Sequence, residues 1–249
     1  MGYEFMLTVA MGKRLIAKGL LADEQFRTAL REKKVLIVAG TTNAYVAEEA
    51  LAFLGEKYPD DLRLFRRGIT VAPGAKVTPG AVRGDVFIDH GKAVFGKDVF
   101  ELAPDMQAGD LLLKGANAVN LSLGEAGVLI GHPQGGTMIP ILSAAAGRRV
   151  QVLVPVGVEK RVDAPIARLS ALCAAEECEG PRLLPLPGRV FSELDAIHAL
   201  TGAQATLIAA GGAVGAEGCA YFIAQGSEEQ IAAVKGLVKS LRDEPAQHL

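Results

Sequence analysis

Residues 35–40, VLIVAG, form an unbroken apolar run that ends in a glycine and passes directly into the stretch TTNAYVAEEALAFLGEKY. A strand wetted on one face alternates apolar and polar residues. A run without polar interruption predicts a strand covered on both faces, the form taken in parallel sheets. The following stretch sets Val46, Ala50, Leu51 and Leu54 on one face, the spacing of an amphipathic helix. Strand, tight turn and helix make half of a βαβ unit. Further strands are expected at LLLKGANAVN (111–120), AGVLIG (126–131) and VQVLVPVG (150–157), with a helix over about 138–147. The chain is therefore expected to be α/β, a mostly parallel sheet with flanking helices over residues 35–162.

The flanks read differently. Residues 1–34 carry apolar positions Leu15, Ile16, Leu20, Leu21, Phe26 and Leu30 at three and four spacing and predict a helical lead-in. From about 60 to 109 the pattern weakens. LRLFRRGITVAP and GDVFIDHGKAVF read as short strands of an inserted segment with antiparallel character, punctuated by Pro73, Gly74, Pro79 and Gly80. Pro181, Pro185 and Pro187 mark a boundary. Over residues 180–249, PRLLPLPGRV predicts a strand and SELDAIHALTG a helix capped by Ser192 with Asp195 at its third position. ATLIAAGGAV and GCAYFIAQG predict a strand pair, and SEEQIAAVKGLVKSLRDE a helix capped by Ser227. This βαββα order is that of a small α+β, ferredoxin-like subdomain without a clear fourth strand.

Composition narrows the function. A net charge of −2, dispersed Lys and Arg, and 5% aromatics with no Trp give neither a basic groove nor a stacking platform, so nucleic acid is not an expected partner. Cys173, Cys178 and Cys219 lack metal-ligand spacing and are read as reduced thiols, with no metal and no cofactor expected. The opening residues show no signal-peptide pattern, and a cytoplasmic location is expected. The apolar stretch 205–224 includes Gly211 and Gly212, which fit two strands around a turn better than a membrane helix. No membrane partner is expected.

Three loops carry the candidate chemistry. Gly40, Thr41, Thr42 and Asn43 lie at a strand end and a helix start, where free amides, two hydroxyls and the helix dipole favour an anion; the same residues serve equally as a helix cap. Lys114 precedes Asn117 and Asn120, whose carboxamides can orient ligand hydroxyls or instead close Asx-turns. In HPQGGT, Gly135 and Gly136 allow close backbone approach, Thr137 can cap the next helix, and His132 is either a general acid or base or a solvated turn residue. Glu159 and Lys160, past another strand end, either pair with each other or face a ligand.

The succession VLIVAGTTN, LLLKGANAVN and VLIGHPQGGTMIPILSAAAGRRVQVLVPVGVEK resembles the fold group of ribose-5-phosphate isomerase, glucosamine-6-phosphate deaminase, methylthioribose-1-phosphate isomerase and the CoA transferases, and the effector domains of sugar-responsive repressors. The resemblance covers about residues 35–160 and implies a Rossmann-like sheet. The tail is similar to the second domain of ribose-5-phosphate isomerase. Isomerases of this group carry GADEVD where this chain has Gly115, Ala116, Asn117, Ala118, Val119 and Asn120. Amides thus replace both aspartates, and no catalytic set of the group is retained residue by residue. Glu125 in LGEAG is a weak match to a CoA-transferase glutamate.

Three functions remain open. One is an enzyme, isomerase- or transferase-like, acting on a phosphorylated sugar or similar anionic metabolite, with Glu125, His132 and Glu159 as candidate acids and bases. A second is a binding protein or sensor for the same ligand, without turnover. The third is a structural subunit of a homo-oligomer, the assembly state the resemblance implies in any case.

Overall fold

The computed structural model of the chain describes residues 1–68, 70–71, 74 and 84–245. In chain order it begins with strand β1 (Gly2–Leu7), helices α1 (Val9–Ala22) and α2 (Glu24–Glu32), strand β2 (Lys34–Ile37) and helix α3 (Thr41–Phe53). The hairpin β3 (Val86–Asp89) and β4 (Lys92–Val94) leads to α4 (Val99–Leu102), β5 (Leu111–Leu113), β6 (Ala118–Asn120), β7 (Glu125–Ile130) and α5 (Met138–Leu142). Then follow β8 (Gln151–Pro155), α6 (Ile166–Cys173), β9 (Arg182–Leu186), β10 (Arg189–Phe191), α7 (Glu193–Thr201), β11 (Gln204–Ala210), β12 (Ala220–Gln225) and α8 (Glu228–Leu241).

Among the described residues the central sheet has six strands in the order β10-β8-β5-β2-β3-β4. The run from β10 to β2 is parallel, and β3 and β4 add antiparallel strands on the other side of β2. The sheet is thus mixed, and its helices lie on both sides. Alternate residues enter different cores. Val35, Ile37, Leu113 and Leu153 pack with α1, α3 and α7, whereas Leu36, Val38, Leu112, Val152 and Val154 pack with α4, α5 and the sheet β6-β7-β9. This two-sided burial explains why the strand sequences carry no polar alternation.

Local signals set the helix ends. Thr8 accepts from the Met11 N–H at the start of α1, and Asp23 accepts from the Gln25 N–H at the start of α2. Ser192 with Asp195 and Ser227 with Gln230 form reciprocal capping boxes, each satisfying amides that the helix itself leaves open. Gly202, in the left-handed region, ends α7.

Several sequence expectations are corrected. Residues 2–7 form a strand, not the start of a helical lead-in, and β1 pairs antiparallel with β12 to complete a sheet of order β1-β12-β11. The stretch 111–120 is two strands in two sheets, because the chain turns at Gly115. Residues 126–130 run antiparallel in the sheet β6-β7-β9 rather than in the parallel sheet. PRLLPLPGRV likewise divides at Gly188 (φ 131°) into β9 and β10, which join different sheets. Residues 62–64 form a short 3-10 turn, and part of the strand expected over 62–73 falls outside the described residues. No described helix is long and apolar enough to cross a membrane, and no described group of three His, Cys, Asp or Glu residues is arranged to hold a metal.

Candidate functional site

The carboxyl ends of β2 and β5 lie side by side, and their chains then leave in opposite directions. After β2 the backbone turns at Gly40 into α3 on one face of the sheet, while after β5 it turns at Gly115 towards β6 on the other. In open α/β sheets, ligands are bound where loops from adjacent parallel strands diverge in this way. Asn43 sits at this fork. It is fully buried, and its Nδ2 donates to Val38 O at 2.7 Å and Leu113 O at 3.1 Å, tying both strand ends to α3. Its Oδ1 and the Oγ1 of buried Thr42 have no hydrogen-bond partner. Gly40 stands at the N-cap position of α3 without a side-chain cap, and Thr41 is exposed.

Lys114 follows β5 directly. Part of its surface stays accessible, but protein surrounds its ammonium closely enough that burial lowers its pKa to about 8. Asp85 opposes that fall, while Lys160 and Arg67 add to it. Among the described residues its Nζ makes one hydrogen bond, a long 3.4 Å contact to Gly115 O, and no carboxylate lies within ion-pair distance. Asp85 is itself fully buried at the start of β3. It accepts from the Ala39 N–H (2.8 Å), the Val99 N–H (2.7 Å) and Arg67 Nη1 (3.0 Å). Burial still pushes its pKa upward.

A second group adjoins the first through Lys160, which lies in the 3-10 turn Val158–Lys160 after β8. Glu193, the first residue of α7, is 3% exposed and accepts from the Val158 N–H at 2.9 Å. Burial, reinforced by Glu159, raises its pKa to about 8, against the lowering effects of two backbone N–H groups and Lys160. Lys13 on α1 is lowered by burial and then by Lys160, with Glu159 and Glu193 acting in the opposite sense. Gly12 makes the close packing possible, since a Cβ there would collide with the Glu193 carboxyl. Lys13, Lys114 and Lys160 are all part-buried, and none has an ion pair among the described residues. Three such cations at one strand edge can neutralise an anion, and Lys114 and Glu193 can each exchange a proton near neutral pH.

Of the residues expected from sequence, Gly40, Thr42, Asn43, Lys114, Glu159 and Lys160 belong to this edge. The others do not join them through any hydrogen bond or ion pair among the described residues. Asn117 Oδ1 accepts from the Leu129 N–H, and its Nδ2 donates to Thr70 Oγ1. Asn120 accepts from the Leu123 N–H and donates to Asp163 O, so it closes the turn after β6. Glu125 accepts from the Ile166 N–H and caps α6. His132 is exposed; its Nδ1 accepts from the Gln134 N–H, and its carbonyl holds Arg182. Gly135 (φ 79°) and Gly136 (φ 54°) form the turn before α5, where Thr137 makes no capping bond. Glu125 and His132 stand at opposite ends of β7, roughly 20 Å apart at strand rise, too far to act on one reacting atom.

Lys13, Arg67, Asp85 and Glu193 were not singled out in the sequence. Each lies on a different element, and only topology brings them together. The one local signal was a charged residue against apolar neighbours: Asp85 heads VFID, and Glu193 directly follows a capping serine. A separate cleft of about 500 Å³ is lined by Arg14, Tyr45, Glu48 and Glu244 among others. There Arg14 is already bound to Glu48, Glu49 and Glu244 at 2.7–3.0 Å, so its charge is answered within the protein.

No family model, curated protein or solved structure matches this chain.

Proposed function

We propose that this protein binds a small anionic metabolite, of the phosphorylated-sugar class, in the crevice between the loops that follow β2 and β5. The observation that carries the proposal is the set of three part-buried lysines, Lys13, Lys114 and Lys160, held at one strand edge without ion pairs. Burying cations without ion pairs costs free energy, and a bound anion offsets that cost. The open N-terminus of α3 and the unpartnered Thr42 Oγ1 and Asn43 Oδ1 support the same location. We read the doubly covered sheet as Rossmann-like, with the ligand at the carboxyl ends of its parallel strands. Lys114 and Glu193 are then the proton-transfer groups of an enzyme, in place of the acids that Asn117 and Asn120 replace.

The test is ligand stabilisation by ribose 5-phosphate, with ribose and inorganic phosphate as controls, in the wild type and in Lys160→Ala. A ligand at about 100 times its Kd adds roughly 2.7 kcal/mol of stability. The expected result is stabilisation of the wild type by the phosphate-bearing compounds, weakened in the variant. Equal stabilisation of both proteins, or of neither, overturns the assignment.

A second reading has its own observation. The outer face of the sheet β1-β12-β11 carries Met6, Ile208 and Tyr221 at 40%, 49% and 39% exposure, a surface suited to a homo-oligomer contact. Light scattering across a concentration series, with Ile208→Lys as the disrupted form, tests it; a monomer at every concentration removes it.

A further inference from the structure

Among the described groups with nucleophilic or titratable character, Lys114 combines three properties that an anion-binding role alone does not need. It follows the strand at the centre of the parallel run, β5, where the sheet fixes its backbone through the Lys114 N–H to Leu153 O bond of 3.1 Å. Among the described residues its ammonium has no carboxylate within ion-pair distance, and the buried carboxylate of Asp85, which acts on it, is already held by Ala39, Val99 and Arg67. Lys160 and Arg67 crowd it with like charge. A lysine desolvated and set beside other cations keeps an appreciable share of free amine, which is how lysine becomes a nucleophile towards carbonyl carbon.

We infer that Lys114 forms a Schiff base with the carbonyl carbon of a phosphorylated aldose or ketose bound at this edge. The inference rests on the anion-binding proposal and extends it, since the phosphate recognised by Lys13 and Lys160 would deliver the carbonyl to Lys114. In the step, the neutral Nζ attacks the carbonyl carbon, forming a C–N bond as the C=O π pair moves to oxygen. A proton passes from nitrogen to that oxygen, giving the carbinolamine. The hydroxyl then leaves as water with one proton from the medium, and the nitrogen lone pair closes the iminium. No oxidant or reductant takes part. At neutral pH roughly a tenth of Lys114 is free amine, against about one part in three thousand for an ordinary lysine.

Borohydride reduction of the intact protein with ribose 5-phosphate or dihydroxyacetone phosphate tests the step, since hydride converts the iminium to a stable secondary amine that peptide mass spectrometry locates. The expected result is a reduced adduct on Lys114, absent from exposed Lys18 and lost in Lys114→Arg, with inorganic phosphate protecting the wild type. If phosphate-bearing ligands stabilise the protein but Lys114 stays unmodified, or the adduct spreads evenly over surface lysines, the Schiff base is refuted while anion binding stands. If neither stabilisation nor adduct is seen, both fall together. The main readout uses the wild-type protein, so it does not depend on how a variant folds.

Discussion

Replacing Glu193 by glutamine should make the protein less sensitive to alkali. The carboxyl is 3% exposed, faces Glu159, Lys160 and Lys13, and its pKa rises from an ordinary 4.5 to about 8. An acid whose pKa is higher in the folded state holds its proton there while the unfolded chain has already released it. Its contribution is fully present below about pH 4.5 and is lost progressively as pH rises to about 8. At about 1.4 kcal/mol for each tenfold change, the window amounts to about 5 kcal/mol, of which roughly 3 kcal/mol has gone by pH 7. Glutamine has the same shape, can still accept from the Val158 N–H, and does not titrate. Urea denaturation of wild type and Glu193→Gln at pH 5 and pH 8.5 therefore should give similar stabilities at the lower pH and a variant more stable by several kcal/mol at the higher. Parallel pH profiles for the two proteins would falsify the claim that this interior acid is neutral at physiological pH.

Three further outcomes follow from the packing and charge of the protein. Gly19→Ala places a Cβ 2.6 Å from Ala196 Cα where α1 crosses α7, so overpacking of about 1–3 kcal/mol outweighs the helix-propensity gain of about 1 kcal/mol; Gly236→Ala, with open space around it in α8, should instead raise the urea midpoint. Because Lys114 loses its proton near pH 8, inorganic phosphate should bind more weakly as pH rises through that value. Calorimetry at pH 8 in buffers of different ionisation enthalpy should report uptake of roughly half a proton per site, and no buffer dependence would count against Lys114 as the anion's partner.

What sequence revealed depended on the range of the forces involved. The cap of Ser192 with Asp195 and the cap at Ser227 were legible because a cap is decided within four residues. The runs at 35–40 and 150–157 were legible because two-sided burial leaves an uninterrupted apolar signature. β1 was not, although Tyr3, Phe5 and Leu7 alternate inward, because its partner β12 lies at the far end of the chain and helical spacing begins immediately after it. Lys114 and Lys160 could be named from their positions after strands. Asp85 and Glu193 could not, since what distinguishes them is the loss of water around each, and burial is created by elements distant in sequence.

The closure of the β1-β12-β11 sheet sets a timetable for synthesis. Met1 donates to Gly226 O across 225 residues of chain, and β1 has no ladder partner other than β12 among the described strands. At ribosomal rates of about 5–20 residues per second, Phe5 and Leu7 wait roughly 10–45 s before the strand they pair with has been made. During that interval the nascent chain presents an unpaired strand with an apolar face. Chaperones that recognise short extended apolar segments would have their main opportunity there, and slowed translation ahead of residue 220 would lengthen the period in which the protein is open to aggregation.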